Sequence, residues 1–218
     1  MRGFFVAGTG TDLGKTHVGC ALLEAARTRG MRADAFKPVV SGFDPAAPET
    51  SDPARLAAAL GRPDAWADVS PRRYRAPLAP NLAARLEGDT LRMSEVVADC
   101  RAWLTSRDVD LALVEGAGGV MSPMTDDATN LDLMSTLGLP VLLVAGSYLG
   151  TASHLLTALE VVRARGLVVA AIVVSESLDA PDLDQTVDML RAFERQTPII
   201  IAPRAAWDAG ELADVLLG

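Results

Sequence analysis

The sequence predicts an α/β fold, a mostly parallel sheet with helices on both faces. Continuous apolar runs of strand length, such as Leu111–Val114 and Val141–Ala145, alternate with stretches of helical length. Strands apolar on both sides belong to parallel sheets covered by helices on each face. The first run, Phe4–Ala7, passes into a glycine-rich turn and then a helix, the order that a phosphate-binding loop requires. The 218 residues, half of them hydrophobic and 22% charged, suffice for a single domain over 1–218 with ample core.

Strand one is expected at 2–7 and its helix at 15–29, stopped by Gly30. A second strand is expected from Arg32 to Val40, followed by a Pro-, Asp- and Ser-rich loop at 43–53. Asp52 is placed to cap a helix from Pro53 to Leu60, because its carboxylate can accept first-turn amides and proline suits that turn. Residues 61–93, with four prolines and several arginines, read as a long irregular excursion of the kind that often carries function. A helix at 94–105 precedes a buried strand, Val109–Glu115, ending in an acid. Then come Gly116–Gly119, a helix near 129–137, a strand at Pro140–Ala145 and a helix at 151–165. A strand at 168–174, a helix at 182–193, a strand at 198–202 and a helix at 208–217 complete the chain.

The segment Gly8-Thr9-Gly10-Thr11-Asp12-Leu13-Gly14-Lys15-Thr16 makes the predicted fold P-loop NTPase-like. Its glycines permit backbone angles and close approaches that a Cβ would block. The loop amides and the helix start then favour phosphate. Lys15 is placed to reach the β- and γ-phosphates, and the Thr16 hydroxyl to meet Mg²⁺. The spacing is a variant, with one residue more than usual between Gly8 and Gly14. Ligands of parallel sheets sit beyond the carboxyl ends of the strands, where Gly8–Thr16, Lys37–Ser41, Glu115–Gly119 and Gly146–Thr151 all fall. Glu115, at such an end, suits an Mg²⁺ partner; helix capping alone accounts for Asp52, and Lys37 by itself reads as a solvated strand end.

A net charge of −8 with no Lys/Arg cluster argues against nucleic acid or an anionic membrane surface. The N-terminus has no signal-peptide pattern, and the longest apolar run, Leu167–Val174, is too short to cross a bilayer. Cys20 and Cys100 have no metal spacing and read as buried free thiols in a reducing, cytoplasmic setting. His17 reads as riding on the loop helix and His154 as a packed or capping residue; no Ser/His/Asp or Cys/His arrangement is legible.

Taken together, Gly8–Thr16, Lys37-Pro38-Val39, Ser41-Gly42, Ser51-Asp52, Pro77–Pro80, Glu115–Gly119 and Leu149-Gly150 resemble dethiobiotin synthetase over nearly the whole chain. The resemblance implies that 7,8-diaminopelargonate, CO₂ (or bicarbonate) and ATP give dethiobiotin, ADP and phosphate through a carbamate that ATP phosphorylates. It implies Mg²⁺ held by Thr16, Asp52 and Glu115, and charge on the phosphoryl group and carbamate neutralised by Lys15 and Lys37. Thr11 and Ser41 would contact the diamine. The nucleotide would lie against Gly8, Asp12, Leu13, Gly14, Lys15, Thr16 and His17, against Asp52, Glu115, Gly116, Ala117 and Gly118, and against Ser175, Glu176, Pro203, Arg204 and Ala205. The family is a homodimer, and the substrate carboxylate would meet the partner's helix start at Gly150, Thr151 and Ser153. Ser153 and Ser175 stand where the family often has Asn; the latter change implies relaxed choice among nucleoside triphosphates. A nucleotide-switched partitioning ATPase would instead carry lysine where Gly10 stands.

Overall fold

The computed structural model describes every residue except 179, 205 and 206, so the Ala205 expectation lies outside the described residues. In chain order the elements are β1 (Arg2–Gly8), α1 (Lys15–Thr28), β2 (Ala33–Phe36), β3 (Val39–Ser41), α2 (Asp52–Ala59), α3 (Trp66–Val69), β4 (Arg72–Tyr74), α4 (Pro80–Leu86) and α5 (Met93–Ser106). They continue with β5 (Leu111–Gly119), α6 (Asn130–Leu137), β6 (Val141–Gly146), α7 (Thr151–Ala164), β7 (Val169–Ser175), α8 (Leu183–Phe193), β8 (Ile199–Ala202) and α9 (Gly210–Leu217).

Among the described residues, six strands form one parallel sheet in the order β2-β5-β1-β6-β7-β8. Side chains alternate across each strand. Phe4 and Val6 of β1 and Leu111 and Leu113 of β5 face a core built with α1, α2 and α9. Phe5, Ala7, Ala112 and Val114 face the opposite core, built with α5, α6, α7 and α8. With both faces covered, the ligand-accessible edge is the carboxyl end of the sheet. There β1 sits between β5 and β6, in register Val6↔Glu115 and Gly8↔Val144.

Four expectations need correction. The strand expected at 32–40 is two strands. Pro38 has no N–H to extend the ladder, the Lys37 amide bonds the Val69 carbonyl at 2.8 Å, and β3 leaves to pair with β4 in a separate two-stranded sheet. Residues 61–93 are organised rather than irregular. Arg73 lies over Phe43 and Trp66, 5.6 and 5.0 Å from the ring centroids, and the Tyr74 hydroxyl donates to Asp89 at 2.5 Å. The cap of α2 is Ser51, whose Oγ accepts the Ala54 amide at 3.4 Å. Asp52 is thereby free for other use. The strand expected to stop at Glu115 runs on to Gly119, so the glycines continue the sheet edge.

Candidate active site

The turn from β1 into α1 is tight because Gly14 adopts φ 89°, a left-handed conformation open to glycine without a Cβ penalty. A Cβ at Gly14 would also stand 2.7 Å from the Ser175 hydroxyl, so the loop lies directly against the end of β7. Lys15 folds back over the loop, its Nζ donating to the Gly10 carbonyl at 3.0 Å. Burial lowers the pKa of this ammonium, with Glu115 opposing the shift. Asp12, at the loop tip, also holds a positive φ of 56°.

At the floor, four groups that lie far apart in sequence converge. The Thr16 hydroxyl donates to Glu115 Oε1 at 2.7 Å. The Lys37 ammonium donates to that same oxygen at 2.6 Å and to Asp52 Oδ2 at 2.5 Å. Lys37 and Glu115 are almost wholly enclosed, whereas the Asp52 side chain is 37% exposed. For Lys37, burial favours the neutral amine, but Glu115 and Asp52 outweigh it and raise the pKa. Burial works against the Asp52 carboxylate as well, and the Lys37 charge together with hydrogen bonds from Lys37 and Thr16 outweighs it, lowering its pKa. Lys37 is thus the enclosed cation of this cluster and not a solvated strand end.

Thr16, Asp52 and Glu115 offer the hard oxygen donors that Mg²⁺ takes. Among the described residues Glu115 Oε2 is buried with no hydrogen-bond partner, an orphan acceptor that a divalent cation or its bound water would satisfy. The residues present therefore fit Mg²⁺.

A cleft of about 1160 Å³ opens above this floor. Thr11, Asp12, Leu13, Gly14, Lys15, Thr16, His17, Lys37, Ser41, Asp52, Ala117, Gly118, Ser175, Glu176 and Arg204 all line it. Other expected residues lie elsewhere. Gly8 sits under the Lys15 side chain, and Gly116 faces the core, where a Cβ would come 2.9 Å from the Phe5 ring. Glu115 is buried beneath the floor, and Pro203 is not among the lining residues. Gly150, Thr151 and Ser153 form the start of α7, outside the cleft. The Thr151 hydroxyl is committed to the Gly146 carbonyl at 2.6 Å, which leaves only backbone from that position to meet a ligand. His154 is exposed rather than packed, and its Nδ1 lies 2.6 Å from the Tyr148 hydroxyl.

Two contributors escaped the sequence reading. Asn130 lies at the start of α6 and its amide nitrogen donates to the carbonyls of Ala117 and Gly119, clamping the glycine end of β5. The pattern Thr129-x-x-Asp132, a capping box in the structure, was the available signal for that helix start. Arg55, also a lining residue, sits three positions after Asp52 and so on the same helix face.

A family profile described as "AAA domain" matches residues 2–203. The ATP-dependent dethiobiotin synthetase BioD of Caulobacter vibrioides (strain NA1000 / CB15N) is 78% identical over 218 residues, covering the whole of both chains. The chain belongs to the ATP-dependent dethiobiotin synthetase family. The BioD of Caulobacter sp. (strain K31) is 62% identical, over 100% of this chain and 95% of that one. Membership makes the protein an ATP-dependent ligase. Among solved structures, the signal recognition particle receptor FtsY from Elizabethkingia anophelis is similar at a TM-score of 0.50 and 17% identity. That match spans 100% of this chain and 65% of FtsY, a likeness of fold alone.

Proposed function

We propose that this ligase closes the ureido ring of dethiobiotin from 7,8-diaminopelargonate, CO₂ and ATP, as one domain over 1–218. The observation that carries the reading is the Lys37 ammonium held between Asp52 and Glu115 at the phosphate loop. One amine of the diamine adds to CO₂ and loses a proton, giving a carbamate. A carbamate oxygen attacks the γ-phosphorus as the bond to the β-phosphate oxygen breaks, so ADP leaves. The second amine attacks the carbamoyl carbon of the resulting carbamic–phosphoric anhydride. The C–O bond breaks, phosphate departs with the electron pair, and the amine proton passes to solvent or phosphate.

Nothing in this sequence needs a covalent bond to the protein. Positioning and charge stabilisation supply the acceleration. Lys15 holds the β- and γ-phosphates, and Lys37 faces the charge that develops between carbamate and phosphoryl group. Thr11 and Ser41, both lining the cleft, contact the diamine; the Ser41 hydroxyl is buried without a partner, which supports that role. Thr16, Asp52 and Glu115 would hold Mg²⁺, which would neutralise phosphate charge. The acceptor of the substrate carboxylate is the start of α7 in a partner subunit, whose first-turn amides lack intrahelical acceptors; the working unit is then a homodimer. Ser175 and Glu176 at the end of β7 face the nucleobase. No helix among the described residues is long and apolar enough to cross a membrane. The free thiols Cys20 and Cys100 suit a reducing compartment such as the cytoplasm.

The test is phosphate release with each reactant left out in turn, in the native chain and in Lys37→Ala. Release should require both the diamine and bicarbonate. Lys37→Ala should lose about 2–4 kcal/mol of transition-state stabilisation, roughly two to three decades in turnover, while ATP affinity stays near native. ATP turnover indifferent to the diamine, or near-native turnover in Lys37→Ala at saturating substrates, contradicts the reading.

A further inference from the structure

We infer that Arg55 is a nucleotide-holding residue, its guanidinium gripping the polyphosphate from the α2 side of the cleft, opposite the amides of the glycine loop. The inference rests on the proposed reading of this cleft as the nucleotide site, and it adds a residue outside the phosphate-loop motif.

Four observations carry it. Arg55 lines the cleft and is exposed. Among the described residues its guanidinium has neither a hydrogen bond nor an ion pair, so its donors are uncommitted. Its position on α2 is also directional. Long side chains on a helix lean toward the N-terminus, and the N-terminus of α2 is Asp52, at the cleft floor. Leu56, the next residue, turns the other way and packs near Gly19 of α1, fixing which face of α2 meets the loop helix.

The first turn of α1 is where phosphates gather, and His17 on that turn lines the same cleft as Arg55. Its Nε2 is buried with no hydrogen-bond partner among the described residues.

The charge balance explains why such a residue is needed. At the floor Lys15 and Lys37 are matched by Asp52 and Glu115. A nucleotide with its divalent ion still brings net negative charge, and the cations of the floor are already neutralised. A free guanidinium at the rim supplies planar donors suited to phosphate oxygens. Such contacts ignore the base.

The experiment measures dissociation constants of ATP, ADP and AMP, each with Mg²⁺, for the native chain, Arg55→Gln, Arg55→Lys and Lys15→Ala. Arg55 is exposed and unpaired among the described residues, so Arg55→Gln should fold, and an unchanged melting temperature checks this. Arg55→Gln should weaken ATP and ADP about tenfold, the scale of one partly solvated charge contact. GTP and CTP should lose as much as ATP, AMP much less, and KM for ATP should rise while kcat at saturation changes little. Arg55→Lys should recover part of the affinity. ATP and ADP affinities within twofold of native in Arg55→Gln, with Lys15→Ala clearly weakened, overturn the Arg55 role and leave the site reading standing. If Lys15→Ala also binds as the native chain does, the site reading fails and takes this inference with it. An AMP loss as large as the ATP loss would put the contact on the nucleoside and overturn the polyphosphate assignment.

Discussion

Ser175 lines the cleft where the proposed reading puts the nucleobase. Its hydroxyl lies against Gly14 at the end of β7, 2.7 Å from where a Cβ would stand. An Asn there could offer a donor and an acceptor together to the N6/N7 edge of adenine; a Ser hydroxyl cannot span both atoms. A good bidentate pair carries about 1–3 kcal/mol of base discrimination. Phosphates held by the glycine loop, as proposed, would be held without reference to the base, so ATP, GTP and CTP should show kcat/KM values within about tenfold of one another. Ser175→Asn should shift the ratio toward ATP. A native preference for ATP above about a hundredfold, untouched by Ser175→Asn, contradicts this. The placement of Lys15, Thr16 and Glu115 around the glycine loop was legible at this scale because a motif or a buried strand end marks each. Asp52 and Lys37 were not legible alone. Asp52 was hidden behind a plausible cap that Ser51 in fact provides, and Lys37 looked solvated until its two carboxylates were brought to it.

At the scale of elements, the contact that locks α7 to the end of α8 is chemically the most distinct. Glu194 accepts from Arg163 at 2.8 Å and from the amides of Gln196 and Thr197, also at 2.8 Å. The Arg163 hydrogen bond, helped by those amides against the cost of burial, takes its pKa from the ordinary 4.5 down to about 2. A carboxylate with a depressed folded-state pKa stabilises the fold fully above its unfolded value and loses that contribution as pH falls toward the folded value. Glu194→Gln should therefore cost about 1–2 kcal/mol at neutral pH, discounted because Arg163 is partly exposed, and the gap to native should close between about pH 4.5 and pH 2. Urea melts of both chains across that range check it, and a gap that does not vary with pH counts against the account. Elements with strong apolar runs, such as β1, β5, β6 and β7, were legible from sequence to within a few residues. Of the short pieces between β2 and α5 only α2, expected at 53–60, was legible. The three- to seven-residue elements around it give too little periodicity to read, and their order comes from contacts made across the chain, such as Arg73 over Trp66.

For the whole molecule, the proposed reading puts nucleotide and diamine in the cleft of one chain and the far carboxylate of the substrate at a partner's helix start. The start of α7 stands outside that cleft, with Ser153 exposed. In a two-fold dimer, each chain can lend this helix start to the other's site. Ser153→Glu would place a like charge at the carboxylate position, and Lys15→Ala would disable the phosphate site. Mixed in equal amounts, two inactive variants should regain about a quarter of native activity, because half the random dimers are mixed and each holds one intact site. No recovery under demonstrated subunit exchange, or a monomer at assay concentration, contradicts shared sites.

The central claim is that a carbamate oxygen, and not water, attacks the γ-phosphate in the cluster of Lys15, Thr16, Lys37, Asp52 and Glu115. The most direct measurement is a single turnover begun with freshly dissolved ¹⁸O-labelled CO₂ in unlabelled water, with mass analysis of the phosphate released. The account predicts phosphate carrying one ¹⁸O atom for each dethiobiotin formed; unlabelled phosphate formed together with dethiobiotin would contradict it.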